Sequence, residues 1–68
     1  MWINNTYINE KCVATVEPYI MDCSYGIRVN DIPVEIDRTT ERYSPEEKEE
    51  LLIKIMDNYI KEIEKCNG

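Results

Sequence analysis

Apolar residues recur at helical spacing through the last third of the chain: Leu51, Leu52, Ile53, Ile55, Met56, Tyr59, Ile60 and Ile63. At about 100° per residue they spread over an arc of roughly 200°, about twice the stripe that buries a surface helix. The pattern predicts one long helix over 44–66 with more apolar surface than a small sheet needs to cover. Its start is marked by Ser44 as N-cap, Pro45 at the first helical position and Glu47 three residues after the serine, a capping box. Glu46, Glu47, Glu49 and Glu50 oppose the positive end of the helix dipole, and Lys61 and Lys65 lie toward the negative end. Glu50 with Lys54 and Asp57 with Lys61 are spaced as i,i+4 ion pairs, and Asn67-Gly68 suits a helix end.

Upstream, residues 1–36 read as strands and turns and residues 37–43 as a polar connection. The clearest β pattern lies in 25–36, where a two-residue turn at Asn30-Asp31 pairs Val29 with Ile32, Ile27 with Val34 and Tyr25 with Ile36 on one apolar face. The other face then holds Arg28 with Pro33 and Gly26 with Glu35, and Arg28 and Glu35 are diagonal neighbours suited to an ion pair. Pro33 removes a ladder donor, so its strand is expected to lie at a sheet edge or to aim that nitrogen outward. An earlier strand is expected at about 11–17, ended by Pro18, and a short extended stretch at 19–23. The resulting expectation is one α+β domain over residues 1–68: an antiparallel sheet of three to four strands with one long C-terminal helix packed across one face. Its expected core is Val13, Val16, Ile20, Ile27, Val29, Val34, Ile36, Leu51, Leu52, Ile55, Tyr59 and Ile63.

Charge narrows the function classes. Eight basic against 14 acidic residues give a net charge of −6, which disfavours direct contact with nucleic acid or an anionic membrane and favours a basic protein partner. The absence of His removes the Ser/His and Cys/His nucleophilic arrangements. With Gly26 and Gly68 as the two glycines no phosphate-cradling loop is available, and the segment from Asp31 to Asp37 lacks calcium-loop spacing, so neither cofactor nor metal is expected. Cys12, Cys23 and Cys66 show no C-x-x-C spacing, which points to a reducing cytoplasm; Cys12 and Cys23 read as buried free thiols, with oxidation to a pair the alternative if they sit on adjacent strands. The opening Met1-Trp2-Ile3-Asn4-Asn5 lacks the features of a signal peptide, and no stretch approaches the ~20 apolar residues of a membrane span.

Two partner surfaces follow. Ile53, Met56 and Ile60 lie at the edge of the apolar arc and are expected to meet another protein, a second copy in a homodimer being the default form. Glu35, Asp37, Glu41, Glu46, Glu47, Glu49 and Glu50 make the most acidic stretch, interrupted by Arg38, Arg42 and Lys48. Displayed on a rigid scaffold, such carboxylates occupy a basic nucleic-acid-binding surface of another protein, as a phage anti-defence inhibitor would. The expectation is therefore a small acidic, non-catalytic protein-binding module, an inhibitor or adaptor. A carboxylate-based hydrolase drawing on Asp22, Asp31, Glu35 or Asp37 is the enzyme alternative; it needs two acids close together in an apolar cleft.

The run Tyr25-Gly26-Ile27-Arg28-Val29-Asn30-Asp31-Ile32-Pro33 resembles the strand and Pro-Asp-Leu-Pro turn of HicB-type antitoxins, with a further strand and a Glu-rich helix following. Asn30 stands where that family's first proline is usual, and Val34 where its glycine is. The resemblance implies a β-β-β-α order and, as an alternative function, an antitoxin that covers a toxin partner.

Overall fold

Among residues 1–67, which the computed structural model describes, five short strands precede a helical rod. Strands β1 (Trp2–Ile3) and β2 (Thr6–Tyr7) form an antiparallel hairpin, and a 3-10 turn follows at Glu10–Cys12. Strands β3 (Val16–Ile20), β4 (Ser24–Val29) and β5 (Ile32–Arg38) form an antiparallel sheet in that order. The rod runs as α1 (Pro45–Ile55), a π turn (Met56–Ile60) and α2 (Lys61–Asn67). The expected helix end at Asn67-Gly68 depends on Gly68, which lies outside the described residues. No helix among them is long and apolar enough to cross a membrane.

The hairpin turn forms as its sequence dictates. Asn30 and Asp31 adopt φ of 51° and 69°, the left-handed values that a two-residue primed turn needs and that Asn and Asp tolerate better than most side chains. Val29 faces Ile32, Arg28 faces Pro33, Ile27 faces Val34 and Gly26 faces Glu35. The expected pairing of Tyr25 with Ile36 does not occur: the register shifts between Tyr25 and Gly26, so Tyr25 faces Asp37. A β-bulge of this kind inserts one residue and bends the strand. Gly26 sits at this irregularity, where a Cβ would lie 2.0 Å from the Val34 carbonyl oxygen and 2.9 Å from the Tyr19 hydroxyl.

Other expectations need correction. The strand expected at 11–17 starts only at Val16; residues 10–12 form the 3-10 turn, which Asn9 caps by accepting the Lys11 N–H on Oδ1 at 3.2 Å. Pro18 lies inside β3 instead of ending it. β3 is an edge strand, and Thr15 and Asn30 bond through their backbones, so alternation leaves Pro18 opposite Ile27 at a position that donates nothing to β4. Arg28 pairs with Glu17 at 2.9 Å, not with Glu35, which binds Arg38. The three cysteines are free but exposed.

The core joins Ile27, Val29, Val34 and Tyr25 of the sheet to Ile55, Ile60 and Ile63 of the rod, with Ile3 and Ile8 closing one end. Ile3, Ile8, Tyr25 and Ile60 were not among the expected core residues, whereas Leu52, which was, is 43% exposed. Met1, Val13, Val16, Ile20, Ile36, Leu51, Met56 and Tyr59 are half-buried against this cluster.

The π turn explains the rearranged helix face. Lys61 N–H donates to the Met56 carbonyl, an i→i−5 bond, and such a turn rotates the chain by about 80° per residue instead of 100°. On that count Leu51, Ile55, Tyr59, Ile60 and Ile63 gather within about 90°, while Ile53 stays roughly opposite Leu51. The π turn re-phases Tyr59, Ile60 and Ile63 onto the side of Leu51 and Ile55, while Ile53, which precedes it and is 61% exposed, stays at the far edge of the apolar arc and outside the core.

Candidate functional site

The capping box is closed in both directions: Glu47 N–H donates to Ser44 Oγ at 3.2 Å and Ser44 N–H donates to Glu47 Oε1 at 3.2 Å. It fixes the first turn and thereby the direction in which the following carboxylates point. Ile53, 61% exposed, has Glu50 three residues before it, Glu49 four before it and Glu46 seven before it, so all four share one helix face. Leu52 lies beside them toward the core side. The face is thus a small apolar centre bordered by exposed carboxylates.

Neighbouring cations turn away from this cluster. Lys54 does not pair with Glu50; its Nζ donates to the Tyr25 hydroxyl at 3.1 Å and lies 5.6 Å from the centre of that ring. That hydrogen bond and the attraction of the phenol oxygen raise the Lys54 pKa above its ordinary value. Lys61 pairs with Asp57 at 2.7 Å, as its spacing implies, and the hydrogen bond raises its pKa as well. Among the described residues, no ion pair engages Glu46, Glu49 or Glu50.

The remaining expected site residues lie elsewhere. Ile60 is 2% exposed and belongs to the core, and Met56 is half-buried, so the row Ile53, Met56, Ile60 does not form one exposed edge. Glu47 is held in the capping box. Glu35 lies on the sheet face opposite the helix, where its Oε1 accepts Arg38 Nε–H at 3.0 Å and Nη2–H at 2.9 Å. Asp37 accepts the Arg38 N–H at 2.8 Å. Glu41 sits in the connection, its N–H donating to Thr39 Oγ1 at 3.3 Å and its carbonyl accepting from the same hydroxyl. The acidic stretch is continuous in sequence but split in space by the sheet and the connection.

A second feature was not anticipated from the pattern. Thr6, Tyr7, Ile8, Val13, Ile32 and Val34 wall an open groove of about 220 Å³ at the far end of the sheet, and no charged side chain lines it. Tyr7 and Ile32 are largely exposed, and Trp2, the most exposed large apolar residue, lies with its ring 5.2 Å from that of Tyr7. The available signal was the first nine residues, which contain no charged side chain in a chain that is 32% charged. A polar cleft of about 170 Å³ between β3 and β4 includes Glu17 and Asp31, but Glu17 is exposed and bound to Arg28. These two clefts do not supply the pair of acids in an apolar pocket that a carboxylate hydrolase needs. Among the described residues, no group of His, Cys, Asp and Glu side chains is placed to hold a metal ion.

The antitoxin resemblance implied a β-β-β-α order; β3, β4, β5 and the helix follow one another in that way, but the β1-β2 hairpin and the 3-10 turn precede them. Comparison with protein-family models, with curated proteins and with solved structures gives no match.

Proposed function

We propose that this chain is a non-catalytic protein-binding module, an inhibitor or adaptor, that engages a basic protein through the outer face of α1. The observation that carries this reading is the exposed Ile53 with Glu46, Glu49 and Glu50 around it on one helix face. Carboxylates without internal partners are already solvated and open to a partner's lysines and arginines, so attraction steers the encounter while Ile53 and Leu52 supply apolar contact. The net charge of −6 strengthens that steering. A basic nucleic-acid-binding surface has the complementary character. A second copy docked on this same face would set Glu46, Glu49 and Glu50 of both chains against each other, which favours a basic partner there.

Three exposed free thiols support residence in the reducing cytoplasm. The alternative of an antitoxin covering its toxin is supported by the strand and helix order and uses the same kind of protein contact. A captured partner that is toxic when expressed alone would select it.

The test is capture of partners on the immobilised chain at low and at raised ionic strength, with the triple variant E46Q/E49Q/E50Q in parallel. The expected result is a basic protein retained at low salt, released as salt rises through the screening range, and lost from the triple variant with its fold intact. Equal retention by the triple variant would remove the acidic face from the reading.

A further inference from the structure

Both edges of the main sheet are blocked against further strands. Pro18 in β3 and Pro33 in β5 each sit at a position whose missing N–H would point away from β4. On β5 the Asn4 Nδ2 also donates to the carbonyls of Glu35 at 2.9 Å and Ile36 at 2.8 Å. The β1-β2 hairpin has no such protection. Met1 and Ile8 exchange both backbone bonds, at 2.9 and 2.7 Å, so Tyr7 opposite Trp2 takes the alternate position with its N–H and C=O directed outward from the hairpin. No proline and no charged side chain interrupts residues 1–9.

Side chains along this edge form one apolar surface. The Trp2 ring packs against that of Tyr7 at a tilt of 57°, and Tyr7 shares the groove with Ile32. At 70%, 58% and 65% exposure, these three side chains present on the order of 400 Å² of largely apolar area, at the upper end of what a monomer normally leaves open.

We propose that this edge docks a second copy of the chain, with two β2 strands pairing antiparallel across a two-fold axis through Tyr7 and covering Trp2, Tyr7 and Ile32. Identical antiparallel strands are self-complementary, so one outward N–H and C=O per copy satisfies the other's. Charge selects this edge over the rest of the surface. Two chains of net charge −6 repel, and a contact between uncharged surfaces keeps the acidic helices apart. The three side chains supply about half of the ~800 Å² per partner of a standard interface, so the dimer is a weak one, with Kd in the range of about 10 µM to 1 mM. It uses a different surface from the acidic helix face, and the two readings stand or fall separately.

Sedimentation equilibrium over a concentration series tests the dimer directly. The wild-type chain is expected to dimerise, and more tightly as salt screens the repulsion, opposite to the salt response expected of a basic partner. Trp2→Lys and Ile32→Lys should each raise Kd tenfold or more, whereas Ile53→Lys should leave it unchanged. N-methylation of the Tyr7 amide in a synthetic chain should have the same effect as the lysine variants without altering any side chain. A wild-type chain that is monomeric to about 1 mM overturns the proposal, and so does a dimer that survives the Trp2 and Ile32 changes together. Trp2 fluorescence that responds to an added uncharged strand peptide, in a chain that stays monomeric, would reassign the edge to a foreign partner and likewise overturn the second copy.

Discussion

Ile55 and Ile60 stand five residues apart and are both shut away from solvent, at 0% and 2% exposure. In a regular α-helix that spacing turns the second residue by about 140° from the first, far enough to leave the core. The π turn brings it back. Ile60→Ala is accordingly expected to cost about 2–5 kcal/mol of stability in urea unfolding, as for a truncated core isoleucine, whereas Ile53→Ala should stay within about 0.5 kcal/mol. Equal small effects at both positions would place Ile60 on the surface.

Asn30 both adopts the left-handed turn conformation and clamps the segment before β3. Its Oδ1 accepts the N–H groups of Ala14 at 2.7 Å and Thr15 at 3.1 Å, and its Nδ2 donates to the Cys12 carbonyl at 3.2 Å. Two substitutions separate the roles. Asn30→Gly keeps the turn and removes the clamp, with an expected loss of about 1–3 kcal/mol; Asn30→Ala adds roughly 1–2 kcal/mol for a β-carbon at positive φ. Hydrogen exchange of the Ala14 and Thr15 amides should accelerate in both.

Gly26 is required by space and not by its dihedral angles. A β-carbon there meets the Val34 carbonyl oxygen at 2.0 Å, and backbone of the adjacent strand cannot withdraw without opening the ladder. Gly26→Ala should destabilise by at least about 1–3 kcal/mol, the range for overpacking a tight interior site, measured by urea unfolding. Tyr19→Ala clears the hydroxyl but not the carbonyl, so it should fail to rescue the glycine variant.

Legibility followed how local each signal was. The Asn30-Asp31 turn, its first pairs and the capping box at Ser44 are set by residues within a few positions, and all three could be read from the chain. The bulge opposite Gly26 could not, because alternation continues past it and only the backbone approach to Val34 reveals the shift. The β1-β2 hairpin was concealed by a turn at Asn4-Asn5 without glycine, although Asn4 takes φ of 52°. At the site, Ile53 and the carboxylates before it were legible because they precede the π turn. Ile60 is the last residue of the turn, and every residue beyond Met56 carries the altered phase.

Alkaline pH should weaken the fold. Burial, followed by the nearby Glu35 carboxylate, raises the Tyr19 pKa above 10.0, and the hydrogen bond to Tyr25 raises that of Lys54 above 10.5. In both cases the folded state holds its proton more tightly than the unfolded state. Their contribution is fully present below the unfolded pKa and is lost as pH rises through the folded one. Unfolding midpoints should therefore be flat with respect to these groups up to about pH 9 and fall above pH 10, and Tyr19→Phe should reduce that fall. A midpoint that rises in this range would reverse the assigned directions.

The sharpest test of the π turn is to remove one residue from it. Deleting the exposed Asn58 makes Ile60 the fourth residue after Ile55, and an ordinary α-helix then carries Leu51, Ile55, Ile60 and Ile63 on one stripe at spacings of four, four and three. The deletion shortens α2's reach by about 1.5 Å but preserves the buried face. A cooperative unfolding transition should survive it. Deleting Glu64 instead, beyond the last buried isoleucine, should be mild for a different reason, whereas deleting Lys54 rotates Ile55, Ile60 and Ile63 together by about 100° relative to Leu51 and should abolish cooperative unfolding. Comparable damage from the Asn58 and Lys54 deletions would show that the five-residue spacing is not what places Ile60 inside.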